Sequence, residues 1–161
     1  MKALLVPLLW IATLPMALAQ TTVDIPNGRT HYELHRGGNP VPVILVHGFS
    51  TPMWVWDKLF AALVDADRTV MRFDLHGRGY SERASAEDSL ELFHQQIDSL
   101  RGEFGLDTPI DLVGLSMGGA ISSSYTARYP DRVRRLVLVA PFNSARKIYL
   151  MNWPGIGELF A

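Results

Sequence analysis

The stretch DLVGLSMGGA, residues 111–120, changes character at its midpoint. Ile110–Val113 reads as a buried strand. From Met117 to Tyr129 the chain is rich in small residues at helical length, and Pro130 closes that segment. Between the two, Gly114, Ser116 and Gly118 stand at alternate positions. The stretch reads as a buried strand, a tight turn and a helix, with a serine at the turn.

Working outward, the same alternation recurs. Upstream, Thr22–Ile25 and Arg29–His35 are short extended runs joined at Asn27-Gly28, a pair that favours a type I′ hairpin turn. In the second run Tyr32 and Leu34 alternate with His31, Glu33 and His35. A loop at Gly37–Pro40 leads to Val43–Val46, a buried strand. A helix is predicted over Trp54–Val64, with Trp56, Leu59, Phe60 and Leu63 on one side. Thr69–Phe73 is a second buried strand. Ser89–Phe104 is the strongest helix, because Leu90, Phe93, Ile97, Leu100 and Phe104 recur at helical spacing, with Gly105 as its stop. Downstream of the opening stretch, Leu136–Val139 is a further buried strand ended by Pro141. Buried strands alternating with helices predict an α/β fold: a mostly parallel sheet, doubly wound, flanked by helices on both faces, with the hairpin at one edge.

The chain has 161 residues, 48% hydrophobic and 19% charged, which fits one globular domain. Fifteen Lys and Arg against sixteen Asp and Glu give a net charge of −1, and no basic patch suggests nucleic acid. With no cysteine, disulfides, thiolate metal sites and cysteine nucleophiles are excluded. Residues 1–19 read as a secretory signal peptide. Lys2 precedes an apolar run broken by Pro7, Thr13 and Pro15, and Ala17-Leu18-Ala19 forms a cleavage pattern before Gln20. Export follows, to a secreted or periplasmic location. The alternative is an uncleaved membrane anchor, and only then does the chain contact a membrane.

In open parallel sheets the site lies past the carboxyl ends of the strands. Three motifs fall there. His47-Gly48-Phe49-Ser50 follows one strand, Asp74 to Ser81 (DLHGRGYS) another, and Gly114-Leu-Ser116-Met-Gly118 a third. The last matches G-x-S-x-G, a turn that lifts a serine hydroxyl clear of the backbone, with Gly114 and Gly118 needed where side chains would collide. The helix beginning at Met117 aims its free N–H groups at the position an oxyanion would take. The backbone N–H groups of Met117 and Phe49 are the candidate donors of an oxyanion hole. His47 reads as a structural histidine that holds its loop.

VILVHGFS, FDLHGRGYS and DLVGLSMGGA, in that order, resemble the α/β-hydrolase superfamily in its serine esterase and lipase-like branches. The similarity runs from about Thr22 to Pro141. It implies Ser116 as nucleophile, the Phe49 and Met117 amides as oxyanion donors, and structural roles for Asp74, Gly77, Arg78 and Gly79. A serine at 116 argues against the aspartate-nucleophile branches. The family places an acid and a histidine after the nucleophile. All five histidines here, His31, His35, His47, His76 and His94, precede Ser116, and only Asp131 and Glu158 are carboxylates beyond it. His76 is the least unsuitable substitute base. The resemblance therefore implies that residues 20–144 are the N-terminal part of the core domain. It also implies that 145–161 begin a cap segment, and that the C-terminal strands bearing acid and base are missing.

The expected function is hydrolysis of carboxylic esters by a serine nucleophile, incomplete in these residues, with a small-molecule ester as substrate, a complementing C-terminal half as partner, and no metal or organic cofactor. The alternatives are another serine-nucleophile branch (C–C bond hydrolase, perhydrolase or amidase) and a non-catalytic fragment or pseudoenzyme.

Overall fold

The computed structural model describes residues 21–142. The expected signal peptide and the expected cap segment lie outside the described residues. Within them are six strands: β1 (Thr22–Ile25), β2 (Gly28–His35), β3 (Asn39–Val46), β4 (Arg68–Phe73), β5 (Ile110–Leu115) and β6 (Val133–Val139). Three α-helices accompany them: α1 (Asp57–Asp65), α2 (Leu90–Glu103) and α3 (Met117–Arg128).

The strands form one sheet in the order β1-β2-β4-β3-β5-β6. β4, β3, β5 and β6 pair in parallel, and the β1–β2 hairpin joins the edge through antiparallel pairing of β2 with β4. The predicted α/β topology is therefore present. Alternate residues of β3 feed two cores. Ile44 and Val46 pack with Met71, Phe73, Phe93, Ile97, Leu112, Ile121 and Tyr125 under α2 and α3. Val43 and Leu45 pack with Val70, Val113 and Trp56 on the opposite face, where Phe60, Leu63 and Val64 of α1 join them. This is how the period-2 direction of a strand makes a doubly wound sheet.

Helix α2 is bounded as its sequence directs. Ser89 Oγ accepts the Leu92 N–H at 3.1 Å. At the far end Leu106 N–H reaches Arg101 O and Gly105 N–H reaches Gly102 O, a Schellman closure with Gly105 at φ 60.

Four expectations are corrected. The hairpin turn is not type I′. Ile25 pairs with Gly28, so the two loop residues are Pro26 and Asn27. Proline cannot take positive φ, and Asn27 at φ 75 gives the type II pattern. The helix predicted from Trp54 opens as a 3-10 turn at Met53–Trp56 before α1 begins, and no residue of α1 is fully buried. Leu90, assigned to the apolar stripe of α2, is exposed at the helix's first position. Finally, β6 is not buried: Val137, Leu138 and Val139 are 48%, 41% and 40% exposed. Among the described residues β6 pairs only with β5, so it is an edge strand.

Candidate active site

Chain direction across the sheet reverses at β3. The crossover through α1 leads to β4 on one side, and the crossover through α2 leads to β5 on the other. Such a reversal opens a crevice at the carboxyl ends of the two diverging strands. The loop after β3 carries His47-Gly48-Phe49, and the turn after β5 carries Ser116. They meet there: a Cβ placed on Gly48 would lie 3.3 Å from Ser116 Cβ.

Ser116 has φ 51 and ψ −114, a conformation that L-residues avoid, at the N-cap of α3. The strained strand-to-helix turn read from the sequence is thus present in the backbone. Gly114 and Gly118 permit it. A Cβ on Gly118 would collide with the carbonyls of Val46 and His47, and one on Gly114 would meet Gly118 O and lie 2.6 Å from Ser122 Oγ. Met117 is the first residue of α3, so its N–H has no acceptor within the helix.

The end of β6 braces the turn, which the sequence did not announce. Ser116 N–H donates to Val139 O at 3.0 Å, and Phe142 N–H donates to Ser116 O at 2.9 Å. Pro141 sits where a Cβ on Gly119 would come to 3.0 Å.

Asp74 is buried beside the crevice. Oδ1 accepts the Met53 N–H at 2.8 Å, while Oδ2 accepts the Tyr80 N–H at 3.0 Å and faces His31 Nδ1 at 2.8 Å. Its backbone carbonyl takes Ser81 Oγ–H and a Gln96 amide N–H. Gly79, at φ 54, has room for no side chain, because a Cβ would strike this carboxylate. Asp74 thus ties the hairpin, the loop after β3 and its own loop together. Its pairing with His31, Ser81 and Gln96 was not read from the sequence. The pairing of Tyr32 with Phe73 places the preceding His31 beside Asp74, and only that register reveals it. Arg78 bonds to His76 O and Asp88, and its guanidinium lies over the rings of Phe49 and Phe93.

The five histidines divide by position. His31 and His35 are on β2, three strands from β5, or about 14 Å at usual strand spacing. The His76 ring lies beneath the hairpin, where a Cβ on Gly28 would come to 3.7 Å from Nδ1. His94 is wedged edge-on against Tyr125 and Tyr129. Tyr125 is eight residues along α3 from Met117, about 12 Å by helical rise. Only His47 is at the crevice, and both its ring nitrogens are engaged, with Gly48 O and the Leu75 N–H. Burial holds His47, His76 and His94 below the ordinary histidine range. Among the described residues no histidine is hydrogen-bonded to Ser116, and the ring of His76, the least unsuitable substitute in the sequence, lies against the hairpin.

A family model described as alpha/beta hydrolase fold matches residues 41–161. The 1-acylglycerol-3-phosphate O-acyltransferase ABHD5 of Homo sapiens is 35% identical over 135 residues, covering 80% of this chain and 38% of that protein. The (lyso)-N-acylphosphatidylethanolamine lipase of Homo sapiens is 37% identical over 105 residues, 63% of this chain and 30% of that protein. A solved thermophilic esterase from Thermogutta terrifontis is 30% identical with a TM-score of 0.68, covering 79% of this chain and 47% of that one. The chain spans less than half the length of each of these three.

Proposed function

The chain belongs to the alpha/beta hydrolase fold family, and we propose on that premise that it forms the nucleophile half of a serine hydrolase of carboxylic esters. The observation that carries this reading is the left-handed backbone of Ser116 at the head of α3, pressed against Gly48. Ser116 Oγ attacks the ester carbonyl carbon, and the carbonyl oxygen becomes an oxyanion that takes hydrogen bonds from the Met117 and Phe49 N–H groups. Collapse expels the alcohol, which leaves with the serine proton, and water then hydrolyses the acyl-serine. The proton needs a base, and among the described residues no histidine is hydrogen-bonded to Ser116. That the relatives are named an O-acyltransferase, a lipase and an esterase supports acyl transfer as the chemistry.

Hydrolysis of short-chain p-nitrophenyl esters by the native protein, beside its Ser116→Ala variant, tests the reading. Turnover should fall by about 10⁶ in the variant, the scale of nucleophile loss in serine proteases. Turnover unaffected by the substitution would refute it. A second reading, a non-catalytic module, is favoured by the lack of a base at Ser116 among the described residues, and absence of turnover in the native protein would support it. We further propose that residues 1–19 are removed on export. N-terminal sequencing should then begin at Gln20, whereas an intact Met1 in a membrane fraction would establish an anchor.

A further inference from the structure

We propose that His76 is an acid-operated latch for the tip of the β1–β2 hairpin, independent of any chemistry at Ser116. Its neutral ring lets residues 22–31 close on the loop after β4, and its protonation releases them.

The hairpin overhangs the sheet. β2 pairs with β4 only from Tyr32 to His35, so β1 and Gly28–His31 lie past the end of that ladder. Val23 and Ile25 add partly buried apolar contact beneath the tip. The rest of its attachment is polar. Glu82 N–H donates to Arg29 O at 2.8 Å, and the Glu82 carboxylate accepts the Arg29 N–H at 3.0 Å and its guanidinium at 2.8 Å. His31 N–H reaches Ser81 Oγ at 2.9 Å, and Gln96 Nε2 of α2 reaches Thr30 Oγ1 at 2.9 Å. Asp74 N–H donates to His31 O, and the Asp74 carboxylate faces the His31 ring.

His76 is buried where hairpin, loop and α2 meet. Its N–H donates to Gln96 Oε1 at 3.2 Å. A Cβ on Gly28 would lie 3.7 Å from both His76 Nδ1 and Glu82 Oε2, so the bare glycine covers the ring. The ring is fully enclosed, and among the described residues neither of its nitrogens has a hydrogen-bond partner. The nearby Glu82 carbonyl already accepts the Gly77 N–H at 2.9 Å. A neutral imidazole tolerates such a site far better than a charged one.

Burial is the largest influence on the ring and holds its pKa below 6.5, while the Glu82 carbonyl and Asp88 oppose it. Each carboxylate around the ring is already engaged, Glu82 by Arg29 of the tip and Asp88 by Arg78 of the loop. From α2 comes Gln96, which is neutral. Below pH 6.5 an open tip therefore accepts a proton on His76 that the closed tip refuses, and opening is favoured. The tip's other imidazole, His31, faces Asp74 instead. A proton there would strengthen closure, so release belongs to His76.

Hydrogen exchange of the full chain, corrected for the intrinsic effect of pH, tests the latch. The reporting amides are those of Arg29, His31 and Glu82, which bond across the tip. Their opening should rise about tenfold for each pH unit below 6.5 until the folded pKa is reached, while β3 and β5 exchange far more slowly throughout. In His76→Leu, which cannot titrate, this acid response should vanish, and in His94→Leu it should persist. A response that survives in His76→Leu would overturn the proposal, as would protection that does not change with acid. If His76→Leu does not fold, histidine-selective 15N NMR of the unaltered chain decides. Protonation of His76 should coincide with loss of the closed-tip amide signals of Arg29 and His31. A ring that gains its proton while those signals stay in place would defeat the latch.

Discussion

At Ser116 the backbone stores strain of about 1–3 kcal/mol, the usual cost of a non-glycine residue in such a conformation. The bonds to Val139 and Phe142, with those from Gly119 and Ala120 to Ser116 O, hold it in place. Replacing Ser116 by glycine should relieve that strain and raise stability by about 1 kcal/mol while removing the hydroxyl, which thermal unfolding can measure. Gly118→Ala has the opposite sign. Its methyl would meet two carbonyls of a central strand end, and overpacking of this kind costs about 1–3 kcal/mol or more. Equal melting temperatures for the two variants would show that the turn is looser than these contacts require. Both glycines and the serine were legible as a motif in the sequence. The bracing by Val139 and Phe142 was not, because a contact through backbone atoms leaves no trace in side-chain identity.

Among the elements, α2 was the most legible, since its apolar spacing and its Ser89 and Gly105 boundaries all agree. β3 was the least. Its first half reads as a loop because Pro40 and Pro42 cannot donate to a ladder, yet the strand runs from Asn39. The structure reconciles the two with a register shift between Asn39 and Val43, where the ladder to β4 is interrupted. The packing of α2 on α3 was also hidden, because it depends on polar groups. Tyr125 O–H donates to Asp98 at 2.5 Å and accepts from Arg101 at 3.1 Å, and Arg132 reaches Asp98 from beyond α3. Tyr125→Phe should cost about 1–2 kcal/mol by urea unfolding, the worth of buried hydrogen bonds to charged partners. A loss below a few tenths would mean that Asp98, Arg101 and Arg132 satisfy one another without the phenol.

Across the whole molecule, three buried histidines set a common pH response. Each of His47, His76 and His94 has its folded pKa lowered from 6.5 by burial. Below 6.5 the unfolded chain therefore binds more protons than the folded one. Stability should be fully present above that value and fall as the pH drops toward the folded pKa values. Urea midpoints measured at successive pH values should decline with acid, and a flat profile would contradict the burial of these rings. The exposed apolar residues of β6 give a second molecular property. Burial on both faces was legible for Val43–Val46 of β3, for β4 and for β5, but the exposure of β6 depends on what pairs with it, which no local pattern encodes. The 161-residue chain should self-associate through this edge, and Val137→Lys should reduce that association in sedimentation experiments. The claim on which the functional account turns is that Ser116 is the reactive residue of the native protein. Peptide mass spectrometry after treatment with an alkyl fluorophosphonate tests it most directly. The account predicts a single phosphonyl adduct on the peptide containing Ser116, formed in step with loss of ester turnover. An adduct on another residue, or full loss of turnover with Ser116 unmodified, would contradict it.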